Sequence, residues 1–257
     1  MSDTVLNLIP IYYYSASSIY LNVAIDEALF VLGRQKPTAS LRVWEQKSPA
    51  IVLGRSQKPE LEINLESCQK HNIPIARRCS AGGTVIQNDG SLNFVFHFPL
   101  SWNATLIDVR KSFQFFAEYI QQVLALHQIP SGYRLLSDIT NGADKKISGN
   151  AQSRSQNSIL HHGTLLAKPC HELMHQFLLQ PSSQPEYRVG RNHQDFVTSL
   201  NEMGHRFSLE DLSIGLSKII PQTEIITELP QEILDKANEL LEKKYKHDEW
   251  NLIGKLL

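Results

Sequence analysis

The chain has 257 residues, 42% of them hydrophobic and 20% charged, with a formal net charge of -1. That size fits one large globular domain, and the balanced charge offers no footing for a nucleic-acid or membrane-surface partner. Cysteines at 68, 79 and 170 form neither a CxxC pair nor an even framework, and no apolar run approaches the ~18 residues of a membrane span, which sets aside a disulfide-stapled secreted protein and a membrane protein.

No signal or transit segment is read in Met1–Pro10, so a reducing, cytoplasmic setting is expected. Leu6–Tyr14, rich in Ile and Tyr, predicts a strand. Ser17 and Ser18 can cap a helix to about Leu32, in which Leu21, Ala24, Ile25, Ala28, Leu29 and Leu32 recur at helical spacing; Gly33 ends it. Leu41–Trp44 and Ile51–Leu53 read as short strands, Pro59–His71 as a helix, and Ile73–Ala76, Thr84–Ile86 and Asn93–Phe98 as further strands. Leu106–His127 is the longest amphipathic helix, with Val109, Phe113, Phe116, Ile120 and Leu124 on one face. Short strands follow at Arg134–Asp138, Lys146–Ser153 and Ile159–Leu166, then helices near His171–Leu179, Leu209–Ile219 and Gln231–Lys244. Gln180–Asp195 is the best candidate for a long mobile loop. Strands in loose pairs with helices interspersed indicate an α+β fold, with mixed or antiparallel sheets and flanking helices. A single domain over residues 1–257 is expected.

Three segments carry chemistry. Arg77-Arg78-Cys79-Ser80-Ala81-Gly82-Gly83-Thr84 joins two forked cations to a small-residue loop whose backbone N–H groups can approach an anion closely. The loop is neither a Walker loop nor a dinucleotide fingerprint, since both spacings are missing. In Asp138-Ile139-Thr140-Asn141-Gly142-Ala143-Asp144-Lys145-Lys146-Ile147-Ser148-Gly149-Asn150-Ala151-Gln152, Lys146 before a small polar run can set an ammonium against a phosphate or a developing oxyanion. His161-His162-Gly163-Thr164-Leu165-Leu166 is the third; a histidine there more often makes one fixed hydrogen bond than does catalysis.

Taken together, the three segments resemble the lipoate–protein ligase A family, within the wider biotin/lipoate ligase fold. Tyr20–Glu27, Ile51–Gln57, Tyr187–Leu200 and Trp250-Asn251 extend the similarity over most of the chain. The resemblance implies activation of lipoate or octanoate with ATP and Mg2+ to an acyl-adenylate, then transfer to a lysine of a lipoyl-domain protein such as a 2-oxoacid dehydrogenase E2 or the glycine cleavage H protein. Lys146 would be the catalytic lysine. Arg78, Gly82, Gly83, Thr84, Val85 and Ile86 would line the nucleotide, with Arg77 supporting the same anionic site. Ser80, Asn93, Ser148, Gly149, Ala151, His162 and Gly163 would shape the pocket, and no resident metal is implied.

Departures from the family pattern are specific. Ala81 replaces the first glycine of a triple, which requires a negative φ there. Gln87 and Ser91 stand where His and Asn are common, and the turn before Lys146 is one residue longer. The small C-terminal accessory domain of many such ligases has no counterpart, so the chain works alone, or a separate small subunit supplies that piece, or ATP is not used. Three other readings compete. One is an octanoyl or lipoyl transferase drawing on an acyl-carrier-protein or lipoyl-protein donor, whose nucleophilic cysteine would fall near Ser131, where there is none. Another is a zinc hydrolase, suggested by His171-Glu172-Leu173-Met174-His175, a weak H-E-x-x-H match. The third is a binding protein that has lost turnover.

Overall fold

The structure is a computed structural model that describes residues 8–36 and 38–255. The chain opens with β1 (Ile9–Tyr13) and the long helix α1 (Ile19–Gly33), whose residues Val23, Ala24, Ile25, Ala28 and Leu29 are buried. Residues 6 and 7 of the strand expected at Leu6–Tyr14 lie outside the described residues. β2 (Ser40–Glu45) and β3 (Ala50–Leu53) follow. The single helix expected over Pro59–His71 is two, α2 (Pro59–Glu62) and α3 (Leu65–Lys70). The break has a physical cause. Ile63 is drawn into the core in extended conformation and bridges to Leu178, and Asn64 then caps the second helix by accepting from the Ser67 N–H at 3.0 Å.

β4 (Ile75–Arg77), β5 (Val85–Gln87) and β6 (Ser91–Pro99) come next. α4 (Val109–Leu126) is capped by Asp108 and buries Phe116, Ala117, Ile120, Val123 and Leu124. Val109 was expected on that face, but it sits at the solvent-exposed first turn. The strand expected at Arg134–Asp138 is a hairpin, β7 (Gly132–Arg134) and β8 (Asp138–Thr140), paired through Arg134 and Asp138 themselves. β9 (Lys146–Arg154) and β10 (Ser158–Leu166) are long and antiparallel. α5 (His171–Phe177), α6 (His193–Phe196), α7 (Leu209–Ile219), the unforeseen strand β11 (Thr223–Ile226), α8 (Gln231–Leu240) and α9 (Asp248–Asn251) complete the fold. After Leu240 the helix widens into a π turn over Leu241–Tyr245, which brings Lys244 Nζ to 2.8 Å from both Glu27 carboxylate oxygens.

The larger sheet has eight strands in the order β11-β1-β2-β6-β10-β9-β8-β7, and β3 is the centre of a three-stranded sheet, β4-β3-β5. Both contain parallel and antiparallel pairs. Successive side chains of a strand face opposite ways, and the large sheet is covered on both faces. Leu92, Phe94, Phe96 and Phe98 of β6 meet α4 and α7 on one face, while Val95 and Leu160 meet α1 and α8 on the other. The small sheet packs with α3, α5 and α6 through Ile51, Leu53, Cys68, Met174 and Phe196. No helix among the described residues is long and apolar enough to cross a membrane.

Between α1 and the sheet lies a buried ion pair. Arg42, fully buried on β2, donates to Asp26, to the Asn22 side chain and to the carbonyls of Tyr14 and Asn22. Two buried imidazoles complete the polar interior. His161 is sandwiched against Phe116, their centroids 4.6 Å apart, and His97 fills the space left by Gly33, where a Cβ would come within 1.9 Å of the ring. Burial pushes the His97 pKa down to about 4 and that of His161 well below its usual value. The unfolded chain binds these protons near pH 6.5 and the fold refuses them, so stability is full above that pH and is lost on acidification toward the folded value. The His97 imidazole should cost the fold roughly 1–2 kcal/mol between about pH 7 and about pH 5. Thermal melts across that range should show the loss, and His97→Gln should flatten the slope; an unchanged slope would count against a neutral buried His97.

Candidate active site

The anion-facing loop is built where the small sheet runs out. β3 and β4 lie parallel, and both end at the same level, at Leu53 and Arg77. The chain then crosses back through residues 78–84 to β5. Gly54, just beyond β3, lets this loop come close: a Cβ there would lie 1.9 Å from the Gly82 carbonyl oxygen. Gln57 pins the arrangement, its Oε1 accepting from the Gly54 N–H at 2.9 Å and from the Thr84 hydroxyl at 2.7 Å. Gly82 has φ +98, a left-handed conformation that suits glycine, whereas Ala81 is not among the positive-φ residues, as the replacement of glycine there requires.

Arg78 is buried in the wall of the site. It donates to Ser80 Oγ at 3.0 Å and to the Ala81 carbonyl at 2.8 Å, and Ser80 Oγ in turn meets His162 Nε2 at 2.6 Å. Burial lowers the guanidinium pKa to about 10, so it remains charged at neutral pH. His162, half-buried beside that cation, has its pKa pulled down to about 3 by desolvation and by the Arg78 charge and is neutral. A buried cation beside exposed backbone at Gly82 and Gly83 is an environment for an anion.

Lys146 reaches the same place from the large sheet. Register pairs Asp138 with Gly149, and a bulge between Ile139 and Thr140 absorbs the extra turn residue. The lysine folds back over Gly149, where a Cβ would lie 2.7 Å from its Cε and Nζ. Its Nζ stands 2.8 Å from Asp138 Oδ1. Asp138 is buried, and its Oδ2 accepts from the Tyr187 hydroxyl at 2.7 Å.

Two cavities meet here. The inner one, of about 140 Å³, runs from Lys146, Gly82, Gly83 and Thr84 inward between Val23, Trp44, Val52, Val85 and Phe94. The outer one, of about 840 Å³, shares Lys146, Gly82, Gly83, Thr84, Val85 and Gly149 and is covered by Pro181, Pro185, Tyr187, Arg188 and Phe196. The segment expected as a long mobile loop, Gln180–Asp195, is thus organised as a cover: it carries a short helical turn at Glu186–Arg188, and the Arg188 guanidinium lies 4.7 Å over the Phe196 ring and donates to Gln180 and the Arg191 carbonyl.

Of the residues singled out by sequence, Arg78, Gly82, Gly83, Thr84, Val85, Asn93, Lys146, Gly149, Ala151, His162 and Gly163 line the inner cavity, and Ile86 lines the outer one. Ser80 stands behind the wall, bracing Arg78 and His162. Ser148 points away from the site into the core. Arg77 is also elsewhere. Its guanidinium is consumed by the carbonyls of Gly54, Arg55, Gln57, Trp250 and Leu252, so it ties the C-terminal segment to the loop instead of facing either cavity. Adjacent residues of a strand point opposite ways, and Arg77 is the last residue of β4.

Sequence reasoning missed Asp26 and Trp44 at the inner end and Ser137 on the sheet side; Asp138 and Asn150 fell within the segment around Lys146, and Tyr187 within the similarity at Tyr187–Leu200, with no role given to them individually. A carboxylate at position 26, amid the apolar face of α1, was the one legible signal. The H-E-x-x-H residues lie on α5, where His171 Nε2 meets Glu202 at 2.9 Å; among the described residues no three His, Cys, Asp or Glu side chains converge as a metal-holding group.

The lipoyl protein ligase A/B catalytic domain family model matches residues 18–218. Octanoyltransferase LipM of Brevibacillus brevis is 26% identical over 271 residues, covering 92% of this chain and 96% of that protein. Lipoate–protein ligase 1 of Staphylococcus aureus is 28% identical over 235 residues, covering 90% of this chain and 69% of that one. Among solved structures, the bi-partite lipoate protein ligase of Thermoplasma acidophilum matches with a TM-score of 0.78 at 21% identity over 95% of both chains. Lipoate-protein ligase A bound with ATP matches with a TM-score of 0.79 at 22% identity, over 95% of this chain and 98% of that one. At such identities the structures establish the α+β fold. The family model, spanning most of the chain, establishes more: this protein is an enzyme that belongs to the lipoyl protein ligase A/B catalytic domain family.

Proposed function

We propose that the enzyme is a lipoate–protein ligase: it activates lipoate or octanoate with ATP and transfers the acyl group to a lysine of a lipoyl-domain protein. The observation that carries this reading is the junction of two unequal cavities at Lys146, a narrow one walled by Val23, Trp44, Val52 and Phe94 and a wide one behind the loop cover. An acyl chain fits the first, with its carboxylate at Lys146 and the Gly82–Gly83 backbone; a nucleotide fits the second.

The carboxylate oxygen attacks the α-phosphorus of ATP, and pyrophosphate leaves. Charge on the α-phosphate is met by Lys146 and by Gly82 and Gly83 N–H groups, with Arg78 behind them. The neutral ε-amine of the acceptor then attacks the acyl carbonyl, and AMP departs with the electron pair of the broken C–O bond. Lys146 offsets the negative charge in both steps. No carboxylate cluster that could hold a divalent cation by itself is present among the described residues, so Mg2+ would arrive on the nucleotide's own phosphates. The acceptors are E2 or H-protein lipoyl domains. The Thermoplasma ligase, described together with its E2 lipoyl domain, supports that class of partner, and its bi-partite organisation supports a separate small subunit for this enzyme.

A transferase that passes the acyl group through a cysteine thioester is the second reading, favoured by the similarity to LipM. It requires a thiol at the cavity. Cys68 and Cys170 are buried in the core of the small sheet, Cys79 lies beneath the loop, and burial pushes the thiols of Cys79 and Cys170 up to about 12. None lines either cavity.

Lipoate-dependent exchange of labelled pyrophosphate into ATP should be present in the parent and fall on the order of a thousandfold in Lys146→Ala. Exchange absent from the parent, with octanoyl-acyl carrier protein accepted as donor, would replace this reading by the transferase. The combined variant Cys68→Ala, Cys79→Ala, Cys170→Ala should keep exchange and transfer within about threefold, since the buried thiols of Cys68 and Cys170 and the half-buried one of Cys79 act as small packing residues; abolished acyl transfer in a folded variant would point to a thioester instead.

A further inference from the structure

Asp138 receives three donors: the hydroxyl of its neighbour Ser137, 3.1 Å from Oδ1, and two that come from different parts of the molecule. Lys146 Nζ holds one carboxylate oxygen at 2.8 Å, and the Tyr187 hydroxyl holds the other at 2.7 Å. Lys146 comes from the sheet; Tyr187 comes from the cover over the outer cavity. The cover is also joined to Lys146 through the backbone, where the Thr198 N–H donates to the Lys146 carbonyl at 2.9 Å. Immediately after Tyr187 the chain reverses through two left-handed residues, Val189 with φ +50 and Gly190 with φ +70. The ring of Tyr187 packs on Phe196, centroids 5.2 Å apart, so the hydroxyl is held at the end of a rigid arm.

We propose that Tyr187 is a positioning residue that couples closure of the 180–196 cover to the state of Lys146 through the shared carboxylate of Asp138. The inference rests on the ligase reading above for its substrates and goes beyond it in assigning the latch. As the structure stands, Asp138 is met by Lys146, Tyr187 and the adjacent Ser137 hydroxyl. When a substrate carboxylate or phosphate draws the ammonium toward the cavity, Asp138 is left as a buried anion with fewer partners. A buried charge that loses a donor raises the worth of the donors that remain. The Tyr187 bond therefore strengthens as Lys146 engages substrate, and the cover tightens over the bound adenylate. Tyr187 touches no reacting atom in this scheme and acts only through Asp138.

The test uses the full-length protein and three variants, Tyr187→Phe, Asp138→Asn and the pair. Tyr187→Phe keeps the ring on Phe196 and removes only the hydroxyl, so folding should be retained, as a thermal melt will verify. We expect it to lower the kcat for pyrophosphate exchange about tenfold with the KM for lipoate little changed, the size expected for one hydrogen bond to a charged group. The pair should be no slower than Asp138→Asn alone, because a residue acting through Asp138 has nothing to add once that carboxylate is gone. Effects that multiply in the pair, or a Tyr187→Phe enzyme equal to the parent, would overturn the proposal. Amide hydrogen exchange over residues 180–196 provides a readout that needs no turnover. It should be faster in Tyr187→Phe than in the parent, and equal rates would overturn the latch. Silent pyrophosphate exchange in the parent, with this difference in amide exchange intact, would instead fault the ligase reading.

Discussion

The site depends on one folded-back side chain. Lys146 lies over Gly149 and is met by Asp138, and the absent side chain at 149 is what makes the path available. The ammonium is thereby fixed at the junction of the two cavities, near the Gly82–Gly83 turn of the other sheet. A flexible lysine in water would lose rotamer entropy on meeting an anion; here most of that ordering is complete before substrate arrives. Pre-set charge of this kind is the main resource of an enzyme whose chemistry is displacement at an already activated group.

The remaining architecture keeps the two halves of that junction in register. The eight-stranded sheet carries Lys146, Asp138 and His162, and the small sheet carries Arg78 and the glycine turn. They are fastened by the Ser80–His162 bond, while close backbone contact at Gly54 and Gly82 and the Gln57 side chain hold the loop against its own sheet. Arg77 does related work at longer range. Its guanidinium, spread over five carbonyls, ties the segment around Trp250 and Leu252 to the base of the loop, so a residue next to the site contributes rigidity to it without facing it.

Charge is arranged asymmetrically about the cavities. Among the described residues Arg78 is buried without a facing carboxylate, whereas Arg42, also buried, is neutralised by Asp26 at the inner end. On the proposed ligase reading, the first cation lies beside the anion and the paired one where the apolar chain would end.

The sequence by itself determined the family, the α+β class and about half of the residues lining the inner cavity. Those features are carried by short contiguous strings, Arg77–Thr84, Lys146–Ala151 and His161–Leu166, whose residue types dictate local geometry and chemistry. It could not show which way Arg77 and Ser148 point, because that follows from strand phase, and a shift of one residue reverses it. Nor could it pair Asp138 with Lys146, or bring Tyr187 to both, since these contacts span from 8 to 49 positions along the chain and are closed only by sheet register and by the fold of the cover. Helix limits failed for the same reason: Ile63 left its helix because the core of the small sheet held a place for it, which no window of local sequence records.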